Sequence, residues 1–219
     1  GNLAQQAELE GQLVALQTRL GKLPENAAPK ERASLQLETA HTLQVLQRGA
    51  EAWPLAITAF GIFSNLQDWE NAAATCDVAY QTNEADALIA LGHGVWLGVT
   101  LPINPEISVH LLSHIVDDTP DDSDGAAVAA ATAAFIADLR ATEGTQKERL
   151  GFFTQQLLGQ VARRHSGVET QKAFEHWIEK LELNDPDKFL VRLRNVVDVL
   201  VQDQWWIDRT AIQNEIDYP

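Results

Sequence analysis

The chain contains 219 residues, and 45% of them are hydrophobic, including six tryptophans and seven phenylalanines. This is enough apolar material for one domain with a substantial core. The formal net charge is −15 at pH 7, and a chain of this charge would repel phosphate backbones. Because no basic stripe with interleaved aromatic residues occurs, the sequence argues against nucleic-acid binding and favours a protein or peptide partner, with basic partners suited to the charge.

Cysteine content and hydropathy bear on the compartment. Cys76 is the only cysteine in the sequence. An internal disulfide is therefore excluded, which favours the cytoplasm, although a disulfide-free periplasmic protein would have the same composition. No apolar run approaches the length that spans a bilayer, so the sequence predicts no membrane association.

The first predicted helix carries a seam of leucines. They recur in alternating steps of four and three residues, the spacing of a helix that packs along one face. The members of this leucine seam are Leu9, Leu13, Leu16, Leu20 and Leu23. A helix of a bundle is the favoured interpretation, and a self-assembling homo-oligomer that uses the seam is an alternative. A second helix is predicted from Pro29 to Arg48, with Gly49 ending it.

Residues 53–84 predict two helices joined by a tight turn. Pro54 would open the first helix, because first-turn amides have no intrahelical partner and proline lacks an N–H group. Asp68 would cap the second helix, since its carboxylate can accept a hydrogen bond from a first-turn amide.

The spacing of this hairpin resembles a tetratricopeptide repeat. Phe63 and Trp69 fall at the aromatic positions of such a unit, Ala72 and Ala79 at its small positions, and Cys76 at a position that is usually aromatic. A second, imperfect unit follows as far as residue 120, so the resemblance covers residues 53–120. It implies stacked helical hairpins with a concave groove that binds a protein or peptide.

The rest of the chain also predicts helices. The segment 85–100 is apolar and contains three glycines that would permit close helix packing. Further helices are expected over 125–140, 145–164 and 168–183. The last one would run from Pro186 to about Asp208 and is apolar nearly all round. Two adjacent tryptophans near its end, Trp205 and Trp206, either pack across neighbouring helices or form an exposed patch for a partner.

One stripe of side chains has the chemistry of a metal site. A helix is predicted to begin at Pro105, and on it Glu106, His110, His114 and Asp117 follow one another at steps of four, four and three residues. They would therefore share one face, where two imidazoles one turn apart can chelate a divalent metal and carboxylates can complete the set. The alternative is a solvated face of i, i+4 pairs, each worth a few tenths of a kcal/mol.

The sequence as a whole predicts an all-α protein built from antiparallel helical hairpins. A single domain over residues 1–219 is expected, with a sub-division into repeat-like hairpins over 1–120 and a helical C-terminal half over 121–219. No enzyme motif is found, which favours a non-catalytic scaffold that binds a protein or peptide, with no cofactor. The first alternative to this scaffold is a metal-binding protein or metal-dependent enzyme centred on His110 and His114. The second alternative is the self-assembling subunit.

Overall fold

The computed structural model describes residues 2–217. These residues form eleven α-helices and no β-strand, which confirms the predicted all-α class. No described helix is both long and apolar enough to cross a lipid bilayer. The helices are α1 (Asn2–Lys22), α2 (Pro29–Val45), α3 (Gly49–Asn65), α4 (Trp69–Gln81), α5 (Ala87–Thr100), α6 (Pro105–Asp118), α7 (Asp124–Arg140), α8 (Gly144–Ser166), α9 (Gln171–Lys180), α10 (Pro186–Val201) and α11 (Arg209–Asp217).

The described residues divide into two compact units. Unit 1 comprises residues 2–93 and 201–217, and unit 2 comprises residues 94–200. The boundaries fall inside α5, between His93 and Gly94, and at the end of α10, between Leu200 and Val201. Neither boundary coincides with residue 120, and the predicted single domain with a sub-division there stays a prediction.

In unit 1 the first four helices pack against their neighbours in the chain. Helix α2 contacts α1, α3 and α4, and α3 contacts α4, so adjacent helices form pairs as predicted. Small residues allow this, because an alanine interface lets two helix backbones approach closely. Leu13 of the leucine seam is buried in the same core, whose buried members are Leu13, Ala40, Leu43, Ala52, Ala56, Val78, Ala79 and Ala90. Assembly of copies through the seam stays a prediction.

Three helices end on a turn in which a residue other than glycine adopts a left-handed conformation and the following amide bonds back to the last turn of the helix. The residues are Gln47, Gln67 and Glu182, with φ of 61°, 55° and 57°. After each of them the next amide donates to a carbonyl five residues earlier, as in a Schellman cap. The N···O distances are 2.8 Å from Arg48 to Leu43, 2.9 Å from Asp68 to Phe63 and 2.9 Å from Leu183 to Ile178.

These turns correct two predicted helix boundaries. Helix α2 ends at Val45 and not at Arg48, and Gly49 opens α3 where it was expected to end α2. Pro54 consequently lies inside α3 and not at its start. The prediction was wrong because a side chain at a left-handed position costs about 1–2 kcal/mol, so the sequence pointed to the nearby glycine instead of Gln47.

In unit 2 the alanine-rich helix α7 packs against α6 and α8, and α8 also contacts α9. The side chains of α7 are small enough to be covered on several sides, and residues 126–133 are all buried. The local sequence correctly predicted the start of α6 and the end of α8. Asn104 caps α6 just before Pro105, with its side chain accepting the Glu106 amide at 3.0 Å, and Gly167 ends α8 at φ 62°.

Arg140 ties the end of α7 to the end of α5 within unit 2. Its guanidinium donates to the carbonyl oxygens of Gly98 and Val99 at 2.7 and 2.8 Å, two of the groups that a helix C-terminus leaves without intrahelical partners. Ser108 donates to the same Gly98 oxygen at 2.7 Å. Burial lowers the pKa of Arg140, and the three hydrogen bonds satisfy carbonyls that would otherwise be expensive to bury.

The last predicted helix is divided in the structure. Helix α10 ends at Val201, because Gln202 and Asp203 both adopt left-handed conformations with φ of 55° and 61°. Although α10 is apolar nearly all round, it is not buried on every side, since Val191 and Val199 are 53% and 74% exposed. Residues 202–208 are non-helical, and α11 follows them. We call residues 202–208 the tryptophan segment.

Candidate binding site

The tryptophan segment lies in unit 1 and carries the two predicted partner-binding residues. Trp206 stacks on the imidazole of His93, with ring centroids 4.3 Å apart and planes inclined by 18°. Two further rings are in T-shaped contact with Trp206. The ring centroid of Phe60 lies 5.6 Å from that of Trp206, and the ring centroid of Trp53 lies 6.3 Å from it. One part of the Trp206 ring is thus held by aromatic packing, while 37% of the residue remains exposed.

His93 is the polar centre of this aromatic cluster and is completely buried. Its Nδ1 lies 2.8 Å from the carbonyl oxygen of Ile89, and its Nε2 lies 2.8 Å from the backbone nitrogen of Trp206. The geometry assigns the neutral tautomer in which Nδ1–H donates to Ile89 and Nε2 accepts the Trp206 N–H. Both ring nitrogens are therefore used to hold the tryptophan segment against α5.

The environment of His93 disfavours its charged form. Burial lowers the pKa of His93 to about 4, the positive charge of Arg209 lowers it further, and the hydrogen bond to Ile89 opposes the shift. The Arg209 guanidinium itself lies over the ring of Trp205, 3.9 Å from the ring centroid, in a cation–π contact. The imidazole is therefore neutral at pH 7, and its two hydrogen bonds connect α5 to the tryptophan segment.

A hollow of about 340 Å³ opens beside Trp206. We call it the α3–α11 hollow, because its walls come from the end of α3, the start of α4, the tryptophan segment and α11. The volume lies within the lower range of small-ligand pockets. The lining side chains are Ser64, Asn65, Gln67, Trp69, Trp206, Ile207, Asp208, Ala211, Ile212 and Glu215.

The rim of this hollow is polar and acidic. Gln67 Nε2 donates to the Glu215 carboxylate at 3.0 and 2.9 Å, which links the α3–α4 turn to α11. Asp208 Oδ1 accepts the amide of Ala211 at 3.0 Å and so caps α11. Two of the side chains that line the hollow carry a charge. They are Asp208 and Glu215, and both charges are negative.

The residues predicted from the repeat-like spacing lie in the α3–α4 pair. Phe63, Ala72, Cys76 and Ala79 are buried, and Trp69 is half-buried at the edge of the α3–α11 hollow. Burial raises the pKa of the Cys76 thiol far above its ordinary value, so this thiol stays protonated and unreactive at neutral pH.

The predicted metal-binding residues lie on α6 in unit 2. The rings of His110 and His114 are neighbours, with centroids 4.7 Å apart and planes inclined by 74°. His110 is exposed, His114 is half-buried and Asp117 is exposed one turn further on. Glu106 forms an ion pair with Arg149 of α8. The structure therefore brings the two imidazoles together and gives Glu106 a cationic partner, and metal binding stays a prediction.

Sequence reasoning missed His93, Phe60 and Glu215 as parts of the site. A signal for His93 was present, because it lies alone among apolar residues in the run 87–99, where an imidazole is expected to be buried with hydrogen-bond partners. Nothing local indicated that its partner would be the backbone of Trp206, more than a hundred residues along the chain.

The fold and this site define the class of the molecule as an all-α protein with a partly exposed aromatic hollow in unit 1. The chain matches no protein-family model, no curated protein and no solved structure.

Proposed function

We propose that this protein is a non-catalytic helical scaffold that binds a protein or peptide, and that the α3–α11 hollow is a contact site for that partner. The observation that carries the proposal is the state of Trp206, which has an exposed part at the hollow and an anchored part against His93. A rigid, partly exposed tryptophan loses little conformational entropy on binding and is a common hot-spot residue.

The packing of α3 against α4 supports the same function. Its small residues Ala72 and Ala79 are buried where the repeat-like spacing expects close helix contact, and Trp69 at the start of α4 lines the hollow. In a hairpin similar to a tetratricopeptide repeat, close helix packing of this kind would hold Trp69 where a peptide can contact it. Interaction sites of this kind require no reactive group, in keeping with a buried, protonated Cys76.

Filling the hollow should block the partner without disturbing the core. Ala211 is exposed and lines the hollow, so Ala211→Trp would occupy the space while leaving the buried contacts intact. We expect partners captured from an extract of the source cells to be reduced about tenfold or more, as for loss of a hot spot. Quantitative mass spectrometry of the captured proteins would measure this.

The matched control is Ala7→Trp, which adds the same side chain at an exposed position of α1. Its captured proteins should equal those of the unmodified chain. If Ala211→Trp also captures the same proteins in the same amounts, the hollow is not the contact site and the proposal is wrong.

A metal site on α6 is the second candidate function, and the juxtaposition of the His110 and His114 rings is the observation that favours it. We expect the double variant His110→Ala/His114→Ala to lose one equivalent of a divalent metal that the unmodified chain retains. Elemental analysis of protein purified without an affinity tag or chelator measures the content. A double variant of the exposed histidines His41 and His176 is the control, and equal metal in all three proteins would end the proposal.

A further inference from the structure

The charge around the α3–α11 hollow specifies what kind of side chain would bind there. The two chain segments that build it, residues 64–71 and 201–216, contain two and three carboxylates respectively, five in total, and Arg209 as their one cationic residue. That guanidinium lies over Trp205, whereas the hollow itself is lined by the carboxylates of Asp208 and Glu215. A positive charge entering the hollow would therefore meet two negative groups.

The floor of the hollow complements the aliphatic part of a long cationic side chain. Trp206, Ile207 and Ile212 supply apolar surface, and Trp69 supplies a second indole. Arginine and lysine bury their methylene stems on such surfaces and keep the charged end at a polar rim. Arginine is favoured over lysine, because its planar guanidinium can stack on an indole and also form paired hydrogen bonds with a carboxylate.

We propose that the α3–α11 hollow binds an arginine side chain of a protein or peptide partner, with its stem on Trp206 and Ile212 and its guanidinium directed to Asp208 and Glu215. This inference rests on the proposed binding function and adds the chemistry of the partner. Unit 1 already contains one arginine stacked on a tryptophan, Arg209 on Trp205, which shows that the same pair of groups is compatible with this part of the fold.

The test uses the full chain and immobilised peptide libraries that differ at one fixed position. The libraries carry arginine, norleucine or glutamate at the centre and random residues elsewhere. We expect about fivefold more protein on the arginine library than on the norleucine library, and the least on the glutamate library, as complementary charges predict. The difference should shrink in high salt, because exposed charges are screened.

Two double variants, each carrying one pair of substitutions, distinguish an effect of the charges at the hollow from an effect of the overall negative charge. Asp208→Asn/Glu215→Gln removes both charges at the hollow but keeps the hydrogen bonds, since asparagine also caps a helix and glutamine can still accept from Gln67. Glu8→Gln/Glu25→Gln removes two charges at exposed positions elsewhere in unit 1. We expect the arginine preference to fall to near unity in the first pair and to persist in the second.

The outcomes distinguish this inference from the function on which it rests. If the arginine and norleucine libraries retain equal amounts, and Ala211→Trp abolishes both, the hollow binds peptides and the inference about arginine is wrong. An arginine preference that survives Asp208→Asn/Glu215→Gln overturns it as well. If Ala211→Trp changes binding to none of the libraries, both the inference and the proposed function fail.

Discussion

Lowering the pH from 7 to 4 is expected to reduce the free energy of unfolding by about 3 kcal/mol through His93 alone. The reason is the difference between the two states of the imidazole. In the unfolded chain its pKa would be near the ordinary value of 6.5, whereas burial against the tryptophan segment lowers the pKa in the folded protein to about 4. The unfolded state therefore takes up a proton at a pH where the folded state does not.

The sign of the effect follows from this order of pKa values. Above pH 6.5 both states are neutral, and the contribution of His93 to stability is complete. Between pH 6.5 and 4 the unfolded state alone binds the proton, so the free energy of unfolding falls by about 1.4 kcal/mol per pH unit. Below pH 4 the folded imidazole also protonates, and its Nε2 can no longer accept the Trp206 N–H.

Urea unfolding between pH 7 and 4, compared with a His93→Gln variant, isolates this contribution from that of the carboxylates. Glutamine does not titrate and can accept the Trp206 amide, but it loses the stacked ring. The variant should be less stable at pH 7 by about 1–3 kcal/mol, and between pH 7 and 4 it should lose about 3 kcal/mol less of its free energy of unfolding than the unmodified chain. His41→Gln, the same substitution at an exposed histidine, is measured alongside as the control. Parallel curves for His93→Gln and the unmodified chain would contradict the assignment.

His93 also illustrates how much of the site could be predicted from the sequence. A helix was expected over residues 85–100 because a lone strand would lack partners in an otherwise helical chain, and the helix is observed over Ala87–Thr100. The environment of the imidazole is not local. It depends on the turn at Gln202 and Asp203, two left-handed residues without glycine or proline, and so the path of the tryptophan segment had no sequence signal.

Some helix ends could be predicted from the local sequence, and others could not. Asp68 was expected to cap α4, and its side chain accepts the Asn71 amide at 3.3 Å, as the pattern of a capping residue before a helix predicts. Gln47 gave no such signal, because its left-handed conformation opposes its own preference. Local propensity therefore located the hairpins, whereas tertiary contacts determined where their helices end.

Gly49→Ala is expected to destabilise the protein by about 2–4 kcal/mol, although alanine is the better helix former. A β-carbon at this position would lie 2.3 Å from the carbonyl oxygen of Thr82 and 3.1 Å from its carbonyl carbon. Because these are backbone atoms at the end of α4, no side chain can rotate to make room. The start of α3 and the end of α4 would have to move apart.

The same substitution at Gly61 is the matched control, since both glycines lie on α3. A β-carbon at Gly61 would have no neighbouring atom within 4 Å, so Gly61→Ala should stabilise the protein by about 0.5–1 kcal/mol through the reduced entropy of the unfolded chain. Urea unfolding of both variants would therefore give changes of opposite sign. A neutral Gly49→Ala would mean that α3 and α4 can separate at little cost, and the hairpin would then be too loosely held to keep Gln67 and Trp69 in place beside the α3–α11 hollow.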